Sequence, residues 1–131
     1  MNTRTRANYL SKQIIDAAMT VHKELGPGLL ESVYEACLCH ELELRGIPFA
    51  RQVPLPIVYK GLHLGVGYRM DIVVEDLVII EVKLVEEIAS VHESQLLTYL
   101  RLYNRWLGLL INFNVVLLKN GIKRLVYGYN Q

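Results

Sequence analysis

Apolar residues in the first third of the chain recur every three or four positions, which is the spacing of one helix face. The first such stripe covers residues 9–25 and stops at Gly26-Pro27-Gly28, where Gly26 is suited to a left-handed cap. A second stripe covers residues 29–45 and stops at Gly46. The pattern therefore predicts two helices, each ended by glycine.

The middle of the chain changes to patterns that are typical of strands. Residues 49–60 look extended, and Pro54 within them favours an edge position in a sheet. Two apolar runs follow, over residues 70–74 and 78–84, with a polar turn near Glu75-Asp76 between them. Both runs are apolar on both faces, which is typical of central strands that are covered on both sides.

The last third predicts a helix and two more strands. Ser90 followed by Glu93 is the pattern of a capping box, and leucines at helical spacing come after it. Residues 106–112 and 122–129 then predict two strands, joined through Lys119-Asn120-Gly121. The order of elements predicts one mixed α/β layer structure, and the length fits a single domain over residues 1–131.

Composition supports a buried globule and gives little sign of a partner. Hydrophobic residues make up 52% of the chain and charged residues 21%, which argues against disorder. The formal net charge is only +1, so any positive field that attracts nucleic acid must be local. The first residues lack the apolar stretch of a signal peptide, and Asn112 and Asn114 interrupt the most apolar stretch, 106–118. We therefore expect no membrane span and a cytoplasmic location.

The two cysteines give no sign of a disulfide or a zinc site. Cys37 and Cys39 are two positions apart in a predicted helix, so their side chains point to different sides. We interpret them as small buried apolar residues.

Three ionisable residues on the two central strands point to chemistry. If residues 70–74 and 78–83 form a hairpin, Asp71 lies opposite Glu81 to within about one residue. Glu81 and Lys83 point to the same face because strand side chains alternate. Charges among Val and Ile are costly unless they are paired or bound to a metal. The pattern indicates a divalent-metal site with a cationic helper, or an ion pair at the end of two strands.

An Asp, about ten residues, and then Glu-x-Lys on adjacent predicted strands, with a helix before and after, resembles the PD-(D/E)XK nuclease-like superfamily. Within that superfamily, Gly28-Leu-Leu-Glu31-Ser-Val-Tyr34 is similar to the signature of the GxxExxY protein family. The resemblance implies a restriction-endonuclease-like three-layer fold, in which helices flank a central mixed β-sheet. It also implies a metal-dependent nuclease.

Phosphodiester hydrolysis suggests a role for each residue of the predicted hairpin. A metal must offset the phosphate charge and lower the pKa of a water, and Mg²⁺ or Mn²⁺ prefers oxygen ligands. Asp71 and Glu81 are the candidate ligands, and the backbone carbonyl of Val82 is a third oxygen. Lys83 would position the attacking water or stabilise charge in the transition state.

Residues of the two neighbouring helices complete the predicted site. Glu31 is favoured by the helix dipole, and the resemblance makes it an additional acidic residue of the site. Tyr34, one turn later, could hydrogen-bond a carboxylate or a phosphate. His92, Gln95 and Tyr99 share one face of the third helix. The resemblance implies that Gln95 lines the active site, although a solvated polar stripe explains it equally; His92 could contact phosphate or lie on the surface.

Nucleic acid is the expected partner, but the chain shows no basic run longer than two residues. Residues 3–6 are at best a mobile basic arm. Near-neutral charge predicts modest affinity for long duplexes that falls steeply with salt. A homodimer or a protein partner would supply further surface for binding nucleic acid. The apolar stretch 106–118 is either such an interface or buried core. The rival interpretation is a non-catalytic nucleic-acid-binding or assembly module that keeps the nuclease fold; a third is a hydrolase of small phosphate esters.

Overall fold

Two helices precede the strands in residues 2–65 and 67–128, which are the residues that the computed structural model describes. The helices are α1 (Thr3–Leu25), α2 (Glu31–Leu44) and α3 (Ser90–Tyr103). The strands are β1 (Phe49–Pro54), β2 (Ile57–Tyr59), β3 (Leu62–Leu64), β4 (Arg69–Val74), β5 (Val78–Lys83), β6 (Leu107–Asn112) and β7 (Ile122–Val126). A short 3₁₀ helix, Leu118–Gly121, lies between β6 and β7.

Five of these strands form one mixed sheet with the order β1-β4-β5-β6-β7. β5 and β6 run parallel, because α3 carries the chain from the end of one strand to the start of the other. The remaining neighbours are antiparallel. β1 is an edge strand, as Pro54 predicted. β5 occupies the centre, and its residues from Val78 to Val82 are buried.

Helices cover both faces of this sheet. On one face, α1 and α2 pack against Ile72, Ile80 and Leu109 and their neighbours. On the other face, Leu96 and Leu100 of α3 pack against Ile79 and Leu110. These layers confirm the expected three-layer fold with a central mixed sheet. β6 is buried along its whole length, so that part of the 106–118 stretch is core.

The first helix begins earlier than the apolar stripe predicted. Asn2 is its cap, and the Asn2 side chain accepts a hydrogen bond from the Thr5 N–H. Arg6 in the first turns forms an ion pair of 2.6 Å with Glu75 in the turn between β4 and β5. The prediction that residues 3–6 form a mobile basic arm is therefore wrong, because a polar cap and an ion pair order them without an apolar stripe.

The extended segment predicted over residues 49–60 is two strands that belong to different sheets. β1 joins the main sheet, whereas β2 pairs with β3 in a separate two-stranded hairpin. Lys60 and Gly61 make its turn with positive φ angles of 47° and 85°, a conformation that glycine adopts at no steric cost. Most side chains of this β2–β3 hairpin are exposed.

The start of α3 differs from the predicted capping box. Ala89 is the N-cap, and its methyl group cannot accept a hydrogen bond. Instead, His92 Nδ1 accepts the Ala89 N–H at 2.9 Å. Ser90 is therefore the first helical residue, and the prediction that Ser90 and Glu93 form the cap is wrong.

Three smaller expectations concern the remaining segments. β7 ends at Val126 rather than at residue 129, which lies outside the described residues. Cys37 is half-buried and Cys39 is buried, and burial raises the pKa of Cys39 to about 12, as suits an inert core residue. None of the helices in residues 2–65 and 67–128 has the length and apolar character that a membrane crossing requires.

Candidate active site

The β4–β5 hairpin brings Asp71 and Glu81 together. Its turn residues, Glu75 and Asp76, both have positive φ angles, of 48° and 55°, which suit a tight hairpin. The register pairs Val74 with Val78 and Ile72 with Ile80. Continued by one residue, this register sets Asp71 opposite Glu81, which confirms the predicted pairing of the two strands.

Beyond Ile72, hydrogen bonds from backbone to side chain replace the backbone hydrogen bonds between β4 and β5. The Asp71 N–H donates to Glu81 Oε2 at 2.8 Å, and the Val82 N–H donates to Asp71 Oδ2 at 2.8 Å. Each carboxylate is thus fixed by the backbone of the opposite strand. Backbone pairing between the two strands therefore stops before Asp71 and Glu81.

Burial makes both carboxyl groups resist ionisation. Glu81 is only 5% exposed, and burial, followed by the nearby Asp71 carboxylate, raises its pKa to about 8. Burial also raises the pKa of Asp71, although the hydrogen bond from the Val82 N–H acts in the opposite direction. Strongly perturbed carboxyl pairs of this kind are typical of functional sites, where a cation can neutralise them.

Lys83 and the Val82 carbonyl lie beside the carboxylates. Lys83 ends β5 two residues after Glu81, and its positive charge lowers the pKa of both Asp71 and Glu81. The N–H and C=O of one residue in an extended strand point to the same edge. Because the Val82 N–H reaches Asp71, the Val82 carbonyl also faces the β4 side.

Glu31 approaches this group from the start of α2. Partial burial of its carboxyl raises the pKa of Glu31, and the Asp71 charge raises it further, while Lys83 lowers it. Gly28, just before the helix, has a φ of 106° and supplies the bend that delivers Glu31. The structure therefore brings Glu31 within electrostatic reach of Asp71 and Lys83.

Tyr34 does not face the carboxylates. Its hydroxyl donates to the Gly26 carbonyl at 2.5 Å and accepts from the Leu29 N–H at 3.2 Å. Its ring is fully buried and stacks on Phe113 at 4.6 Å. The prediction that Tyr34 hydrogen-bonds a carboxylate or phosphate is therefore wrong, because the loop before α2 uses its hydroxyl.

A second acidic residue of α2, which the sequence analysis missed, extends the site. Glu35 is only 6% exposed and accepts hydrogen bonds from Arg51, at 2.8 and 3.1 Å, and from the Gln52 amide, at 3.0 Å. Gln52 has a φ of 50° within β1, and its side-chain amide lies near Asp71 and favours the charged form of that carboxyl. The unbroken register of β1 with β4 sets Gln52 opposite Asp71. Glu35 lies one helical turn after Glu31, and this spacing could have indicated that both acidic side chains share a helix face.

Two of the three predicted residues of α3 lie on the side of the site. Tyr99 is buried, and burial, followed by the charge of Glu81, raises its pKa. Gln95, one turn earlier, lines an open cavity of about 400 Å³ together with Tyr99. His92 instead caps α3, and among the described residues no contact connects it to the carboxylates.

Asn112 fixes the chain just after Lys83. It lies opposite Lys83 in the β5–β6 register and is buried. Its amide donates to the Val85 carbonyl at 2.8 Å, and its Oδ1 accepts the Val85 N–H at 3.1 Å. This residue, which the sequence analysis also missed, holds the connection from β5 toward α3.

The residues present suit a hard divalent cation. Among the described residues, no three carboxylate, histidine or cysteine side chains converge into a ready metal cage. Asp71, Glu81 and the Val82 carbonyl nevertheless offer three oxygens, and Mg²⁺ usually keeps several waters beside one or two carboxylates. A larger cavity, of about 630 Å³, lies at the opposite end of the sheet, beside Trp106, and contains none of these groups.

The comparisons with known proteins agree with this arrangement. A family model described as the PD-(D/E)XK nuclease superfamily matches residues 8–125. The match covers most of the chain, and the protein belongs to the PD-(D/E)XK nuclease superfamily. Its three-layer fold is the restriction-endonuclease-like fold of that superfamily, whose nucleases generally use divalent metals. No curated protein and no solved structure is detectably similar to the chain.

Proposed function

We propose that the protein is a Mg²⁺- or Mn²⁺-dependent nuclease that hydrolyses phosphodiester bonds in nucleic acid. One observation supports this most: Asp71 and Glu81 are each fixed by the backbone of the other's strand, where backbone pairing stops. Lys83 stands beside them. A merely structural ion pair would not require a buried and a half-buried carboxylate against one lysine.

Each residue of the site has a role in this proposal. Asp71, Glu81 and the Val82 carbonyl would hold the metal ion, which when bound offsets phosphate charge and acidifies water. The Lys83 ammonium would orient the nucleophile and stabilise the charge that develops on the phosphate.

The remaining acidic and polar groups would act around this centre. Glu31 would accept a hydrogen bond from a water at the site, and the Gln95 amide would contact the phosphate or that water. Glu35 and Gln52 would hold Asp71 in position, because the Gln52 amide is fixed by Glu35 and lies opposite Asp71.

We also propose that the chain belongs to the GxxExxY family, and its loop gives the motif a physical meaning. Gly28 supplies a left-handed bend, and Tyr34 closes the loop through Gly26 and Leu29. Glu31, between them, begins the helix next to the carboxylates. The three motif residues thus build and position one acidic side chain.

The proposal also covers the location of the protein and its partners. We propose a cytoplasmic enzyme with nucleic acid as its partner, acting as a homodimer or with a protein partner that adds binding surface. The second candidate function is a non-catalytic nucleic-acid-binding or assembly module. The net charge of +1 favours it, because a nuclease that grips long duplexes usually needs more positive charge.

Calorimetric titration with Mn²⁺ tests the metal site without knowledge of the substrate. We expect the wild-type protein to bind Mn²⁺ and Asp71→Asn to bind at least about tenfold more weakly, since a neutral amide is a poorer ligand. Asp16→Asn, on the exposed side of α1, is the matched control and should bind like the wild type. Equal affinity in the wild type and Asp71→Asn would remove Asp71 from the ligands.

A further inference from the structure

An open groove between α3 and the β2–β3 hairpin adjoins the candidate site. It has a volume of about 400 Å³. Leu55 and Ile57 contribute one apolar wall, and Tyr68 lies at its edge. On α3, Ser94 and Thr98 add hydroxyl groups to the opposite wall. A mainly apolar pocket with a few polar groups is the usual form of a small-ligand site.

Tyr68 presents an aromatic ring to this groove. Its side chain is 49% exposed, and its ring lies edge-on to Tyr99, with centroids 6.4 Å apart and planes at 68°. Val91 and Leu102 of α3 add exposed apolar surface to the groove. These exposed side chains give the groove an apolar surface on which a ring can pack.

Tyr99 links the groove to the carboxylates, because it lines the groove and lies within electrostatic reach of Glu81 and Asp71. Tyr68 precedes Asp71 by three residues, which in extended chain is about 10 Å. Tyr99 lines the groove and packs with Met70, the neighbour of Asp71. Gln95, which the proposed function places near the phosphate, lines the same groove. A group bound in the groove would therefore belong to the molecule whose phosphate is at Asp71.

The absence of charge among the residues that line the groove favours nucleobases, and not the phosphate backbone, as the groups bound there. None of the residues that line it is charged. Stacking on aromatic rings serves every nucleobase, because every base has a π face. A base inside a duplex is already stacked and cannot enter a side pocket without leaving its helix.

We propose that this groove binds an unpaired nucleobase of the strand that is cut, so the substrate is single-stranded or locally unpaired nucleic acid. The inference rests on the proposed nuclease function. Tyr68 stacks on the base, and Ser94, Gln95 and Thr98 hydrogen-bond its edge.

The test measures fluorescence anisotropy with Lys83→Ala protein in Mn²⁺, so that substrate is held without being cut. The probes are a labelled 12-nucleotide oligothymidine, its oligouridine counterpart, the same deoxyribose backbone with abasic positions, and a 12-base-pair duplex. We expect oligothymidine or oligouridine to bind about tenfold more tightly than the abasic strand. The ratio between the two oligomers decides whether DNA or RNA is preferred.

Variants in the same background locate the contact. Tyr68→Ser should abolish the tenfold advantage of bases over abasic sites, and Tyr68→Trp should retain it. Tyr9→Ser is the matched control, because Tyr9 is 46% exposed but lies on α1, on the other face of the sheet. Circular dichroism spectra of all three variants confirm that they are folded.

Several results would overturn the inference. Equal binding of abasic and base-bearing strands, or equal effects of Tyr68→Ser and Tyr9→Ser, would remove the base site. A change in oligomeric state by light scattering for Tyr68→Ser, without a change in base-dependent binding, would identify the groove as a protein interface. Base-independent cleavage by the wild type would overturn the groove alone; base-dependent binding without cleavage in any metal would contradict only the nuclease proposal.

Discussion

At the scale of single residues, the geometry around Glu81 explains why its carboxyl group is difficult to ionise. The Asp71 N–H donates one hydrogen bond to it, which favours the charged form. Burial and the facing carboxylate act in the opposite direction and are stronger, so its pKa lies near 8 instead of 4.5. Without a cation, the site therefore destabilises the folded chain at neutral and alkaline pH.

Stability should therefore depend on pH in a definite direction. Between pH 4.5 and about 8 the folded state keeps a proton on Glu81 that the unfolded state has lost. The free energy of unfolding of metal-free protein should fall as pH rises through this range, by up to a few kcal/mol. Glu81→Gln should remove most of the decline and exceed the wild type in stability at pH 9. Urea unfolding at pH 5, 7 and 9 measures this, and parallel curves for the two proteins would contradict it.

Lys83 offers a second prediction at this scale. Lys83→Ala should abolish nuclease activity, because the cation that orients the nucleophile and stabilises the transition state is lost. Mn²⁺ affinity and the melting temperature should remain close to wild type, since Lys83 is not a ligand. Lys12→Ala, at an exposed position of α1, serves as the control for lost positive charge. Cleavage at the wild-type rate by Lys83→Ala would refute the assigned role.

Single-residue patterns predicted part of the site. Period-two alternation in β5 and the polar turn at Glu75-Asp76 were enough to pair Asp71 with Glu81. Gln52 could not be predicted, because it meets Asp71 through the register of β1 with β4, which the apolar pattern of β1 did not reveal. Asn112 was also hidden, since its partner at Val85 is 27 residues away along the chain.

At the scale of elements, the loop between α1 and α2 determines how Glu31 meets the sheet. Tyr34 connects the first turn of α2 to both sides of the bend at Gly26 and Leu29. Its stacking on Phe113 fixes the same helix against the residue that follows β6. The loop and the helix start thus form one unit that carries an acidic side chain.

Tyr34→Phe tests this unit. The ring stacking should survive, whereas the Gly26 carbonyl and Leu29 N–H lose their partner, at a cost of about 1–2 kcal/mol in unfolding free energy. Cleavage activity should fall while Mn²⁺ affinity changes little, because Glu31 is displaced and Asp71 is not. Tyr103→Phe, which loses only an exposed hydrogen bond of 3.3 Å to Asp76, is the control. If both variants match in stability and activity, the loop does not position Glu31.

Element boundaries followed the sequence where apolar periodicity was strong. The predicted strands 70–74 and 78–84 agree with β4 and β5 to within a residue. The beginning of α1 was missed because Asn2 and Arg6 order it through polar contacts. The β2–β3 hairpin was missed because its strands are only three residues long and have no buried face.

At the scale of the whole molecule, the two ends of the β4–β5 hairpin differ. At its turn, Arg6 and Arg105 form ion pairs that tie α1 and the start of β6 to the hairpin. At the other end, backbone pairing stops before Asp71 and Glu81, and α2 and α3 pack on opposite faces of the sheet. Ion pairs thus hold the hairpin at its turn, while the mutually repelling carboxylates lie at its other end.

This arrangement predicts that metal binding and stability are linked. Mn²⁺ at about 100 times its dissociation constant should stabilise the folded protein by about 2.7 kcal/mol. Protons compete with the metal for Glu81, whose pKa is about 8, so the stabilisation at a fixed Mn²⁺ concentration should be larger at pH 8 than at pH 6. Melting temperatures measured with and without Mn²⁺ at both pH values test this. Asp71→Asn, with at least about tenfold weaker binding, should keep no more than about half of the wild-type stabilisation at the same Mn²⁺ concentration. An equal increase at pH 6 and pH 8 in the wild type would place the metal away from Glu81, because only a group that titrates between these values makes the increase depend on pH.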